Sequence, residues 1–200
     1  ALKARLTELA ELVNTSSSTI VDMKNYKDAN GKAYVKAIAD ETDKANNLAS
    51  ASDLNTLLTT VNNAQETSLV TAVTTAATAI KDATDPITAD QKAALIKALN
   101  DLGVKQVAEG NIDEYIDTTI VTALSTIVDL DAAQTQVDTA NLNAVTNADE
   151  NTIIDKLNVF GLDSIVEANA EAYEKAKATI GGVTADASGK NAETVKLVKA

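Results

Sequence analysis

An all-α fold, an elongated array of small antiparallel helical bundles built from diverged repeats, is predicted by three features of this sequence. Apolar residues recur at steps of three and four, not two. Glycine, asparagine and one proline punctuate the chain at intervals suited to helices. One stretch also recurs 58 residues downstream of itself without a gap.

The helices follow in order. Leu2, Leu6, Leu9, Leu12 and Val13 share one face of a first helix that ends near Asn14. The run 14–18 is a turn, and 19–26 is a short helical piece or an irregular connector. A stronger helix is predicted over 32–48, with Tyr34, Val35, Ile38 and Leu48 inward and Asn46-Asn47 fraying its end. Ser52 or Asp53 caps the next. Two β-branched segments, 68–80 and 118–128, would also suit strands by composition. Periodicity decides for helix, because Ile116, Ile120, Val121, Leu124, Ile127 and Val128 step by four, one, three, three and one. Pro86, the sole proline, marks a boundary. The predicted organisation is therefore a bundle over 1–84, a repeat bundle over 85–182 with copies starting near 87 and 145, and a linker with the start of a further helix over 183–200.

The recurrence at 58 residues sets Leu95-Ile96 on Ile153-Ile154, Leu99-Asn100 on Leu157-Asn158, Gly103 on Gly161, Asn111 on Asn169 and Tyr115 on Tyr173. Thr88 with Gln91 reads as a capping box, and Thr146 with Asp149 as its looser counterpart. Gly103 and Gly161 supply the left-handed residue of a Schellman stop, with Val104 and Leu162 folding back on the last turn. Asn111 with Glu114 reads as a second capping box. A weaker match at an offset of 84 sets Leu58, Val61, Asn63, Val70 and Val73 on Leu142, Val145, Asn147, Ile154 and Leu157. Ala77 stands where the glycine would be, so that helix runs on to Ile80. A short fragment, 29–34, matches 168–173.

The segment Ala-Val-Thr-Asn-Ala-Asp at 144–149, followed by Ile-Ile-x-Lys-Leu and by Gly-Leu-x-x-Ile-Val-x-x-Asn-x-x-x-Tyr at 161–173, resembles the helical repeats of Gram-positive surface proteins. These include S-layer and other large wall-associated proteins of Bacillus-like and Paenibacillus-like bacteria. The resemblance covers roughly residues 55–180, and no wall-binding homology motif accompanies it. It implies an extracellular, cell-surface location and a structural segment that associates with neighbouring subunits, with any cell-wall polymer held by regions outside this chain.

Composition narrows the chemistry. The 45% hydrophobic content is ordinary for a chain with a core, but Phe160 and four tyrosines are its only aromatics. Packing layers of Ala, Val, Ile and Leu are thin, so stability spreads over many modest contacts. The formal net charge is −12, with Arg5 the single arginine, which disfavours nucleic acid and anionic membrane surfaces. Cysteine and histidine are both absent, removing the thiolate, the imidazole base and the favoured ligands of zinc and copper. No apolar run reaches the length of a membrane span, and no signal peptide is visible at the N-terminus.

No residue is assigned a catalytic, cofactor or metal role on sequence, and the expectation is a protein without enzymatic activity. Asp113 with Asp117, and Glu150 with Asp155, have acid–base potential on paper, but charge at helical spacing is the norm on a solvated face. Asp129, Asp131 and Asp138 invite calcium. The EF-hand spacing fails, since Gln134 and Ala140 occupy the sixth and twelfth positions, which leaves a calcium site of another kind, built from Asp129, Asp131 or Asn residues, against a simple acidic helix end. Gly181-Gly182 and Gly189 are linker glycines, Asn14-Thr15-Ser16 is a chance-prone glycosylation tripeptide, and the tyrosines are half-buried core residues or a stacking surface. The alternative to assembly is a helical module that grips a ligand or host protein.

Overall fold

The computed structural model describes residues 3–4, 7, 26–41, 50–161 and 165–177. Among them are eight α-helices, three 3-10 turns and no strand. The helices are α1 (Gly31–Asp40), α2 (Ala51–Lys81), α3 (Ala89–Leu102), α4 (Ile112–Tyr115), α5 (Thr118–Leu124), α6 (Leu130–Asn147), α7 (Ile153–Asn158) and α8 (Ala170–Lys177). The 3-10 turns are Asp28–Asn30, Glu109–Asn111 and Glu167–Asn169, and each runs directly into α1, α4 or α8. The apolar face expected of the first helix (Leu2, Leu6, Leu9, Leu12 and Val13), Asn46-Asn47, Leu48, Leu162, the glycines beyond 177 and the segment 183–200 lie outside the described residues.

Packing divides the chain into two units, Ala1–Ser68 and Leu69–Ala200. The division falls within α2, upstream of the Asp85-Pro86 connector. In the first unit Tyr34, Leu58 and Val61 are buried together, with Tyr26, Ala37 and Ile38 packed against them. The rings of Tyr26 and Tyr34 are 5.1 Å apart at a tilt of 33°. Val35, expected inward, is 51% exposed: a step of one from Tyr34 turns it about 100° round the helix, off the buried face.

The second unit has two cores. The larger gathers Val73 and Ile80 of α2, Leu95 and Leu99 of α3, Tyr115 of α4, and Val137 of α6, among others. The smaller gathers Leu142 and Val145 of α6, Ile153 and Leu157 of α7, Phe160 and Tyr173. Helix α6 thus serves both, its first turns in one core and its last in the other. Each fully buried leucine or isoleucine contributes about 1.5–3 kcal/mol of transfer free energy. Ala77, Ala133 and Ala140 are fully buried and let helix axes approach closely.

Helix ends are set by side chains. Thr88 Oγ1 accepts from the Gln91 amide (3.2 Å) and Gln91 Oε1 accepts from the Thr88 amide (2.9 Å), completing the expected capping box. Gly103 closes α3 at φ +93°, with the Val104 amide reaching the Leu99 carbonyl at 3.1 Å, and Gly161 takes the same left-handed conformation at φ +64°. The segments 68–80 and 118–124 are helical, and α2 runs through the buried Ala77 to Lys81.

Five expectations are corrected. The helix expected over 32–48 ends at Asp40, where Glu41 takes extended backbone (φ −66°, ψ 119°). The cap of α2 is Ser50, not Ser52 or Asp53: Ser50 Oγ accepts from the Asp53 amide (3.2 Å), while Asp53 Oδ2 accepts from the Ser50 amide (2.9 Å). Thr146 lies inside α6, bonded back to the Leu142 carbonyl (3.0 Å), and Asp149 opens the following turn by accepting from the Asn151 and Thr152 amides. Asn111 caps nothing with its side chain. Val128 is 80% exposed, because α5 ends at Leu124 and the periodicity that placed it inward no longer applies.

Candidate functional site

The three 3-10 turns share one local build. An acidic residue, a small residue and asparagine (Asp28-Ala29-Asn30, Glu109-Gly110-Asn111, Glu167-Ala168-Asn169) precede a helix whose tyrosine lies four residues after the asparagine. In each, the tyrosine hydroxyl accepts from the backbone amide seven residues upstream: Lys27 to Tyr34 at 3.0 Å, Ala108 to Tyr115 at 2.9 Å, Val166 to Tyr173 at 3.2 Å. The ring thereby pins the entry strand of the turn to the helix it precedes.

Two of the three are completed by an asparagine on a following helix. Tyr115 donates to Asn141 Oδ1 at 2.8 Å, and Asn111 Nδ2 donates to the same oxygen at 2.9 Å. Asn141 Nδ2 in turn donates to the Gln106 carbonyl at 2.9 Å. That bond fixes the amide orientation, since a reversed Asn141 would set oxygen against oxygen. In the first unit Tyr34 donates to Asn62 Oδ1 at 2.5 Å and Asn30 Nδ2 donates to it at 2.8 Å. Asn62 and Asn141 each lie twelve residues after the residue that caps their helix, Ser50 and Asp129. The two asparagines thus occupy the same position relative to their caps, 79 residues apart in the chain.

Asn111 and Asn141 are buried, the former 1% exposed, and Asn111 Oδ1 has no hydrogen-bond partner. Burial pushes the Tyr115 hydroxyl up to about 12, a rise opposed by the bonds to Ala108 and Asn141 and aided by the Asp138 charge. Such a phenol is a neutral donor at any physiological pH. It holds a structure together and has no capacity as a base.

Four of the carboxylates singled out in the sequence are engaged locally. Asp113 pairs with Lys92 (2.7 Å), Asp117 accepts from the Thr119 amide (2.9 Å) and Asp129 from the Ala132 amide (2.7 Å) as N-caps, and Asp138 accepts from Gln134 (2.8 Å). Glu150 and Asp155 are exposed. The Thr152 hydroxyl and nearby amides hold the Asp149 carboxyl below its ordinary range; the Lys175 ammonium does the same for Glu171. Among the described residues no group of three or more Asp or Glu is placed to hold a metal ion, and no helix is long and apolar enough to cross a membrane.

One groove of about 560 Å³ opens between α3 and the turn before α4, lined by Lys92, Ala93, Ile96, Lys97, Asn100, Glu109 and Ile112. Sequence reading missed Asn62 and Asn141, since asparagine within a helix reads as surface. The available signal was their position, next to the buried Val61 and Ala140 at the end of an apolar stripe. No protein-family model, curated protein or solved structure matches the chain.

Proposed function

We propose that this chain is a non-catalytic assembly segment of a secreted bacterial surface protein of the S-layer kind, an array of diverged helical repeats acting through contacts with neighbouring subunits. The observation that carries this reading is the threefold recurrence of the asparagine–tyrosine turn, with the same amide-to-hydroxyl bond each time. A device reused along a chain suits a body whose task is mechanical, since repeat architectures draw their stability from stacking like units. Helix α6, serving two cores, fits that arrangement. The engagement of Asp113 in an ion pair and of Asp117 and Asp129 in caps favours structure over acid–base chemistry. On this reading the chain works at the cell exterior. The excess of 29 acidic over 17 basic residues keeps it off nucleic acid, and cations such as calcium bridge acidic surfaces between subunits.

Negative-stain microscopy of the protein with and without calcium tests this. Ordered sheets or filaments are the expected result; dispersed single particles under both conditions contradict it. A second reading, a module that grips a ligand or host protein, is favoured by the groove beside α3, which combines apolar Ile96 and Ile112 with the polar ends of Lys92, Lys97 and Asn100. It predicts a monomer that retains one partner in a pull-down and loses it on Lys97→Glu substitution.

A further inference from the structure

Three described residues adopt positive φ: Gly103, Gly161 and Gln106, the last at +59°. At the first two the chain uses the residue that tolerates this conformation freely; at 106 it uses an L side chain that does not. Gln106 makes two kinds of bond, of which glycine could make only the backbone one. Its carbonyl accepts from Asn141 Nδ2 at 2.9 Å and lies 3.4 Å from the Tyr115 hydroxyl, so its backbone belongs to the polar junction beside the larger core. Its side-chain amide donates to the Phe160 carbonyl at 3.3 Å. Phe160 sits in the smaller core, just past the end of α7, where helix carbonyls lack partners of their own. One residue therefore grips both cores of the second unit, with its backbone on one and its side chain on the other. Two further bonds cross near the same place: Lys156 Nζ to the Gly110 carbonyl, and Asn147 Nδ2 to Glu114 Oε1.

We infer that Gln106 is a conformational latch, whose left-handed backbone is retained because it aims the side chain at Phe160 and makes the two cores of the second unit yield together. Local strain kept at one position and repaid by a specific contact is the pattern of a built device. The device stands independently of the surface-assembly reading, since it concerns cooperativity within one unit.

Hydrogen exchange on the intact protein tests it, with two variants that alter the latch in opposite ways. Gln106→Met keeps the side chain's length and removes the donor; Gln106→Gly removes the side chain and relaxes the backbone. Both are expected to speed exchange of amides in 153–161 by roughly fivefold, the loss of one hydrogen bond, while amides in 95–102 stay as in the parent. Equal acceleration in both segments for either variant, or none in 153–161, overturns the assignment. If Gln106→Met perturbs folding as a whole, Gln106→Gly decides alone, because it carries no backbone strain.

Discussion

The second and third asparagine–tyrosine turns have the same sequence pattern and the same amide-to-hydroxyl bond, yet differ in what covers them. Asn111 is buried beneath Asn141 of α6, whereas Asn169 is exposed and, among the described residues, Tyr173 meets no such amide. The turn is thus a local product of a few residues, formed before any partner helix is considered. Burial of its asparagine is a tertiary product, supplied by a helix with an asparagine at the right register. The comparison separates what a short segment encodes from what a neighbour contributes.

The largest expected break is Tyr115→Ala, which empties a fully buried ring site in the larger core and costs about 3–5 kcal/mol. Denaturant titration checks this against Tyr173→Ala, expected to cost less because Tyr173 lacks the second hydrogen bond. Next comes Asn141→Leu, which leaves the Tyr115 hydroxyl, the Asn111 amide and the Gln106 carbonyl without their partner. The expected cost is about 3 kcal/mol, and retention of parental stability would show that the junction contributes little.

Alkaline pH sharpens the same contrast. Tyr115 is held near 12 in the folded protein against 10.0 for an ordinary tyrosine. Between these values the unfolded chain has lost a proton that the native state keeps, so stability falls as pH rises. The contribution is fully present below pH 10 and is lost through pH 12, amounting to about 3 kcal/mol. Tyr115→Phe should flatten that slope in urea midpoints measured from pH 9 to 12; Tyr173→Phe serves as the comparison.

Much of the fold was legible because its signals are local. Thr88 with Gln91, the left-handed Gly103 and Gly161, and the stripe of Leu95, Ile96, Leu99 and Leu102 each need only neighbours in sequence, and each took its expected conformation or burial. Periodicity also overrode β-branched composition in α2 and α5. Its failures were Val128, which lies past the last turn of α5, and Val35, one step off the buried face of α1; the capping pattern failed at Thr146, which sits inside a helix. The polar junction was the least legible part. Asparagine ahead of a helix usually caps it, so Asn111 reads as a cap, and only a helix 30 residues away turns it into a buried donor.

Smaller effects probe the local half of the comparison. Gly161→Ala, at φ +64° with no atom near the added methyl, should cost about 1 kcal/mol from backbone strain alone. Asn169→Ala, at an exposed site, should change stability by less than about 0.5 kcal/mol. Thermal unfolding of both checks the pair, and a large effect at Asn169 would mean that its turn is covered in the same way as the second.

The most direct measurement is a double-mutant cycle between Tyr115→Phe and Asn141→Leu, read by equilibrium unfolding. If the tyrosine hydroxyl and the helix amide act as one junction, their coupling energy is about 1 kcal/mol or more. Additive losses, with coupling indistinguishable from that of Tyr173→Phe paired with Asn141→Leu, would contradict it.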